Sequence, residues 1–156
     1  MRERLLAAFF VRDAREMAFD GEFDGAICLC EGAFGLVGSL ENHLKVLKGA
    51  CRALKPGGWF VLTAIHVPAV IRELKDPSCY DPYTNTLEIR EPVTSPEGMA
   101  KEVTFYTTAF TCRELVLMFG EAGFQVQNVY GCIAGQFSRK PLEPDDIEIM
   151  IVARRP

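Results

Sequence analysis

Few residues of this chain stand in a pattern that could do chemistry, and each pattern has a plain structural reading beside it. The first is Gly32-Ala33-Phe34-Gly35-Leu36-Val37-Gly38. Glycines at steps of three let the backbone turn sharply or let a ligand approach it. A dinucleotide fingerprint needs G-x-G-x-x-G after a first strand, with an acidic residue about 20 positions on, at the end of the next strand. Here the spacing is G-x-x-G-x-x-G, and the next apolar run ends in Thr63-Ala64-Ile65, so a nucleotide-binding oxidoreductase fails on both counts. A strand-to-helix loop remains, and such loops sit where open α/β sheets bind ligands. The second pattern is Asp13-Ala14-Arg15, which follows the apolar run Phe9-Phe10-Val11. Asp13 can accept hydrogen bonds from an amine. It can equally be a solvated loop carboxylate, and the residues leave both readings open.

The cysteines are less promising. There are six, with no C-x-x-C pair, and the two histidines, His43 and His66, are not at ligand spacing. The expectation is no metal site, and free thiols used as small hydrophobes in a reducing cytoplasm. A net charge of −4 argues against a nucleic-acid partner. No apolar run reaches the ~18–20 residues of a membrane-spanning helix, no signal peptide opens the chain, and no membrane partner is expected.

The elements that must position these residues centre on positions 22 to 65. Ala26-Ile27-Cys28-Leu29-Cys30 is short and apolar throughout, as a strand buried on both faces requires. Ser39 is a helix cap, and Leu40, Leu44, Leu47, Cys51 and Leu54 line one helical face. Pro56-Gly57-Gly58 stops that helix, and Trp59 to Ile65 is a second buried strand. Strand, glycine loop, helix, turn and strand make a parallel crossover unit. Before it, Arg2 to Ala8 reads as a short helix and Phe9-Phe10-Val11 as a strand. After it come a short helix within His66 to Leu74 and a punctuated loop from Lys75 to Asn85. Thr86–Glu91 and Glu102–Thr107 alternate as an exposed hairpin. Thr111-Cys112-Arg113-Glu114 is a capping box, Gly123 a left-handed stop, and Phe124–Tyr130 and Glu148–Ala153 are the last strands.

Several of these residues together carry a resemblance. Asp13-Ala14-Arg15-Glu16, Phe23-Asp24-Gly25-Ala26-Ile27, Phe34-Gly35 and Leu54-Lys55-Pro56-Gly57-Gly58 resemble the class I S-adenosylmethionine-dependent methyltransferases, in the small-molecule branch of type 11 or 25 domains. Phe105-Tyr106-Thr107, Ala122-Gly123-Phe124 and Val129-Tyr130-Gly131 resemble the tail of such a domain. The resemblance implies an α/β Rossmann-like methyltransferase sandwich whose last strand pairs antiparallel. It implies S-adenosylmethionine as cofactor and a small-molecule methyl acceptor. It gives Asp13 the adenine amino group, Ala14 an adenine ring nitrogen through its N–H, and Arg15 a place beside them. Cys30, Glu31 and Gly32 would lie beside the methionine moiety. Phe34, His66, Tyr80 and Tyr106 become candidates for the acceptor pocket, and Glu31 and His66 candidates for a catalytic proton acceptor.

The same resemblance lacks the glycine loop after the family's first strand and the acidic residue that grips the ribose. The expected fold is therefore N-terminally truncated: one domain over 1–156, with 67–109 inserted as a β-hairpin cap. The expected activity is methyl transfer, with cofactor binding by this chain alone weak or absent. The alternative is a non-catalytic, regulatory or scaffolding module. The expected partners are the acceptor and either a second copy or a chain supplying the missing half.

Overall fold

A computed structural model describes residues 7–29 and 32–156 of the chain. The expected crossover is present. Strand β1 (Phe23–Cys28) leads through helix α1 (Gly32–Gly35) to helix α2 (Leu40–Ala53) and strand β2 (Leu54–Ile65). The two strands pair in parallel, with Gly25 opposite Trp59 and Cys28 opposite Leu62. Ser39 caps α2, its hydroxyl accepting the Asn42 N–H at 3.3 Å. Helix α3 (Val67–Glu73) follows β2 directly. Three strands, β3 (Tyr80–Asp81), β4 (Thr86–Thr94) and β5 (Ala100–Thr108), then form a separate antiparallel sheet. Helix α4 (Cys112–Glu121) begins with the expected capping box and is followed by Gly123 at φ +94°. Strand β6 (Gln125–Cys132) and strand β7 (Glu148–Arg154) complete the main sheet, in the order β1-β2-β7-β6, with β7 antiparallel to both neighbours.

Alternation along β2 decides where the core sits. Phe60, Leu62 and Ala64 point to one face, level with Ala26 and Cys28 of β1 and with Ala153, Ile151 and Ile149 of β7. Helices α2 and α4 cover that face with Val46, Leu47, Leu115 and Phe119. The stacked rings of Phe60, Phe119 and Phe124 have centroids 5.3–5.8 Å apart. Each such side chain stabilises the fold by roughly 1.5–3 kcal/mol through burial.

Three expectations need correction. Phe9-Phe10-Val11 is not a strand, and its side chains are 94 %, 63 % and 107 % exposed. A strand needs a neighbour for its backbone N–H and C=O groups, and this run pairs with none among the described residues. The expected helix over Arg2–Ala8 lies mostly outside the described residues, and Ala7 and Ala8 are not helical. Pro56-Gly57-Gly58 does not separate helix from strand. It forms a bulge inside β2, where the register with β1 shifts and Gly57 takes φ +81° against the Arg154 guanidinium. Of the expected α2 face, Leu47, Cys51 and Leu54 are buried and Leu44 packs against the core. His43, Val46, Leu47, Ala50 and Cys51 are buried, whereas Leu40 is 57 % exposed.

His43 belongs to that buried face. Its ring lies 5.0 Å from those of Phe34 and Phe110, and burial holds its pKa at about 4, down from 6.5. The ring is therefore neutral in the fold at pH 7. Between pH 6.5 and 4 the unfolded chain binds the extra proton, so stability is intact above that window and falls as the pH drops through it. The slope is at most about 1.4 kcal/mol per pH unit. Urea unfolding between these limits checks this: His43→Leu is expected to flatten the slope, and an unchanged slope would mean that His43 does not cause it.

Candidate functional site

The carboxyl ends of β1 and β2 point toward the small sheet, and three features fix that sheet there. The Phe110 N–H donates to the Ile65 carbonyl at 2.8 Å, and the Val67 N–H to the Phe110 carbonyl at 3.0 Å. Phe110 packs on Phe34, with ring centroids 5.2 Å apart. Gly35 of α1 lies so close to β5 that a Cβ there would stand 2.8 Å from the Thr108 carbonyl oxygen and 3.0 Å from the Thr107 hydroxyl. A glycine in the loop after β1 thus lets the cap dock.

Docking leaves a cleft of about 460 Å³ between the start of α2 and the small sheet. Its wall includes Gly38, Ser39, Tyr80, Asp81, Glu88 and Tyr106. The sequence reading nominated Tyr80 and Tyr106 from it and missed the rest. Asp81-Pro82-Tyr83-Thr84-Asn85 was legible only as a turn. The Asp81 carboxylate accepts the Tyr83 N–H at 2.9 Å and the Thr84 hydroxyl at 2.7 Å. The Thr84 bond chiefly holds its pKa below the usual carboxylate range. The Tyr80 hydroxyl bonds the Asn85 side-chain oxygen at 2.7 Å, and burial, then the charges of Asp81 and Glu114, push its pKa up. Glu88 pairs with Arg90 through Nε at 2.7 Å.

The other nominated residues lie elsewhere. Asp13 caps a 3-10 turn over Ala14–Glu16, accepting the Arg15 N–H at 2.9 Å, and the Arg15 Nε and Nη2 reach both of its oxygens. This pairing lowers the pKa of Asp13 to about 2, so it is an anion over the whole working range. The turn packs against α2 near Gly49, whereas the cleft lies at Ser39. Ten helical residues, about 15 Å, separate the two. Asp13, Ala14 and Arg15 do not wall the cleft.

Phe34 is a core residue, 1 % exposed. His66 is 6 % exposed, and its Nδ1 stands 3.1 Å from the Asp146 carbonyl oxygen. A carbonyl can only accept, so Nδ1 is the donor in this contact. It too is outside the wall of the cleft. Gly32 opens α1, and Cys30 and Glu31 lie outside the described residues.

The structure is similar to solved methyltransferases. The CcbJ methyltransferase from Streptomyces caelestis matches at a TM-score of 0.66 and 20 % identity, over 86 % of this chain and 61 % of that one. An S-adenosylmethionine-dependent methyltransferase from Clostridium acetobutylicum matches at 0.69 and 15 %, over 92 % and 62 %. An S-adenosylmethionine-bound amino pentose methyltransferase from Micromonospora echinaspora matches at 0.55 and 17 %, over 93 % and 63 %. The chain thus spans about three fifths of the length of these structures. No protein-family model matches the sequence, and no curated protein does.

The contact at Gly35 gives a test of how the cap is held. Gly35→Ala should destabilise the chain by about 1–3 kcal/mol, as overpacking against backbone does. Gly120, inside α4 with open space around it, is the control, and Gly120→Ala should stabilise by roughly 0.5–1 kcal/mol. Urea denaturation of both variants measures the difference. Equal, neutral behaviour would mean that α1 does not bear on the cap.

Proposed function

We propose that this chain, whose fold is that of the class I S-adenosylmethionine-dependent methyltransferases, serves methyl transfer from S-adenosylmethionine to a small-molecule acceptor. The observation that carries the reading is the cleft where the loop end of the parallel pair meets the cap. Ligands of open α/β sheets bind outside the carboxyl ends of the strands.

The residues present fit one edge of the cofactor. Asp13 offers an ionised acceptor for an amino group, and Ala14 follows it at the start of the turn. Arg15 already bonds both Asp13 oxygens, so an adenine amino group would share them. S-adenosylmethionine, when bound, supplies a methyl carbon on a positively charged sulfur, open to in-line attack by an acceptor lone pair. The chain's own work is to bind, orient and exclude water. Tyr80 and Tyr106 would flank the acceptor. Where the acceptor must lose a proton, Glu31 remains the candidate to take it, since His66 is buried away from the cleft.

Titration calorimetry with S-adenosylmethionine tests the reading. The expected result is measurable binding weaker than micromolar, with Asp13→Asn about tenfold weaker again, the usual loss of one charge-assisted hydrogen bond. Absence of binding at millimolar cofactor would count against a catalytic role. Binding that Asp13→Asn leaves unchanged would remove Asp13 from the site.

A second reading, a non-catalytic module that works by association, has its own support. One edge of β1 pairs with no strand among the described residues, and Ile27 on that strand is 73 % exposed. Such an edge is a ready pairing surface. On this reading a second copy, or a chain supplying further strands, joins at β1. Light scattering behind gel filtration should then give a mass above that of one chain, which Ile27→Lys returns to a monomer. A monomer at all accessible concentrations would defeat pairing with a second copy.

A further inference from the structure

The cleft under the cap has a chemical bias that methyl transfer as such does not require. Its wall carries two carboxylates, Asp81 and Glu88, and two phenol rings, Tyr80 and Tyr106, and no basic residue. A third carboxylate, Glu114, is near enough to raise the pKa of Tyr80. On the wall's flank Arg90 pairs with Glu88 and also feels Glu102, and Arg113 adjoins Glu114. The wall itself thus carries two carboxylates and no cation.

Asp81 keeps its charge, because a hydroxyl and an N–H hold it ionised. The start of α2 would by itself favour an anion, but the Ser39 hydroxyl already takes the Asn42 N–H, and Glu41 lies in the first turn. Aromatic faces beside carboxylates attract organic cations by their quadrupole as well as by charge. The volume of about 460 Å³ suits a small molecule, not a chain segment.

We propose that this cleft is a site for a small organic amine held as its ammonium ion, and that anionic compounds are turned away. Calling that amine the methyl acceptor rests on the proposed function; the site's preference for a cation does not. The ammonium would lie between the rings of Tyr80 and Tyr106, with Asp81 and Glu88 as its counter-charges. Glu88 would be divided between Arg90 and the ligand, so Arg90 limits affinity.

Ligand-observed NMR on the full chain at pH 7, without cofactor, tests the site with two probes of matched size. Phenethylamine should bind, and 3-phenylpropionate should bind at least about tenfold more weakly. Glu88→Gln should weaken phenethylamine by about fivefold, and Arg90→Gln should tighten it severalfold, as expected for single charges at a half-exposed site. A structural role of the pair would move both variants the same way, since either one breaks the same bond. Thermal melts of the two variants check that they are folded. Equal binding of amine and acid would overturn the proposal. So would variants that shift affinity in the same direction or not at all. Failure of S-adenosylmethionine to bind in calorimetry would sink the methyl-transfer reading while this result still decided the chemistry of the cleft.

Discussion

The pairing of β2 with a parallel neighbour on one side and an antiparallel one on the other is the constraint on which everything else depends. Because side chains alternate along a strand, that double pairing sorts the main sheet into two unlike faces at once. Phe60, Leu62 and Ala64 enter the core with Ile149, Ile151 and Ala153, and α2 and α4 close over them. The same alternation sends Trp59, Val61, Thr63 and Ile65 the other way, beside Arg154, Val152, Met150 and Glu148. At the cap end this second face is buried, with Thr63 1 % and Met150 5 % exposed. At the far end Trp59 is 46 % exposed, and on the edge strand β1 Ile27 is 73 % exposed. Parallel strands are ordinarily covered on both faces. The chain's apolar investment is thus uneven, and the cleft lies at the end where the sheet is well covered.

The crossover was legible because local chemistry and tertiary demand agreed there. Ser39, the capping box at Thr111 and Glu114, and the left-handed Gly123 each act within a few residues of their position, and each is found as expected. The misreadings have a common cause in long-range partners. Phe9-Phe10-Val11 has the composition of a strand and lacks one beside it among the described residues. Pro56-Gly57-Gly58 reads as a stop, yet the Gly57 N–H donates to the Arg155 carbonyl at 2.8 Å and Arg154 Nε to the Gly57 carbonyl at 2.9 Å. Those two bonds, to residues nearly a hundred positions away, hold the turn inside the strand. His43 reads as polar and was left off the apolar face of α2. Edge-to-face packing of its ring on Phe34 and Phe110 makes it a core residue.

The site was legible in a different proportion. Position along the chain brought Tyr80 and Tyr106 forward, and both line the cleft. Asp81 and Glu88 were invisible as site residues, since one looked like turn chemistry and the other like the polar face of a hairpin. Both descriptions are correct locally: Asp81 does make the turn, and Glu88 does pair with Arg90. What gives them a second meaning is the docking of the hairpin against Gly35, a contact between positions that no local pattern joins. Asp13 shows the converse. Its position was singled out, and the structure finds its carboxylate already bonded by its own neighbour, Arg15.

That engagement of Asp13 bears on how an amino group would meet it. Asp13 and Arg15 form an exposed pair, so a ligand amino group approaching Asp13 displaces or shares an arginine and does not meet a bare anion. An exposed pair of this kind holds its partners only weakly. The exchange is therefore inexpensive, and it leaves a guanidinium free beside the bound group.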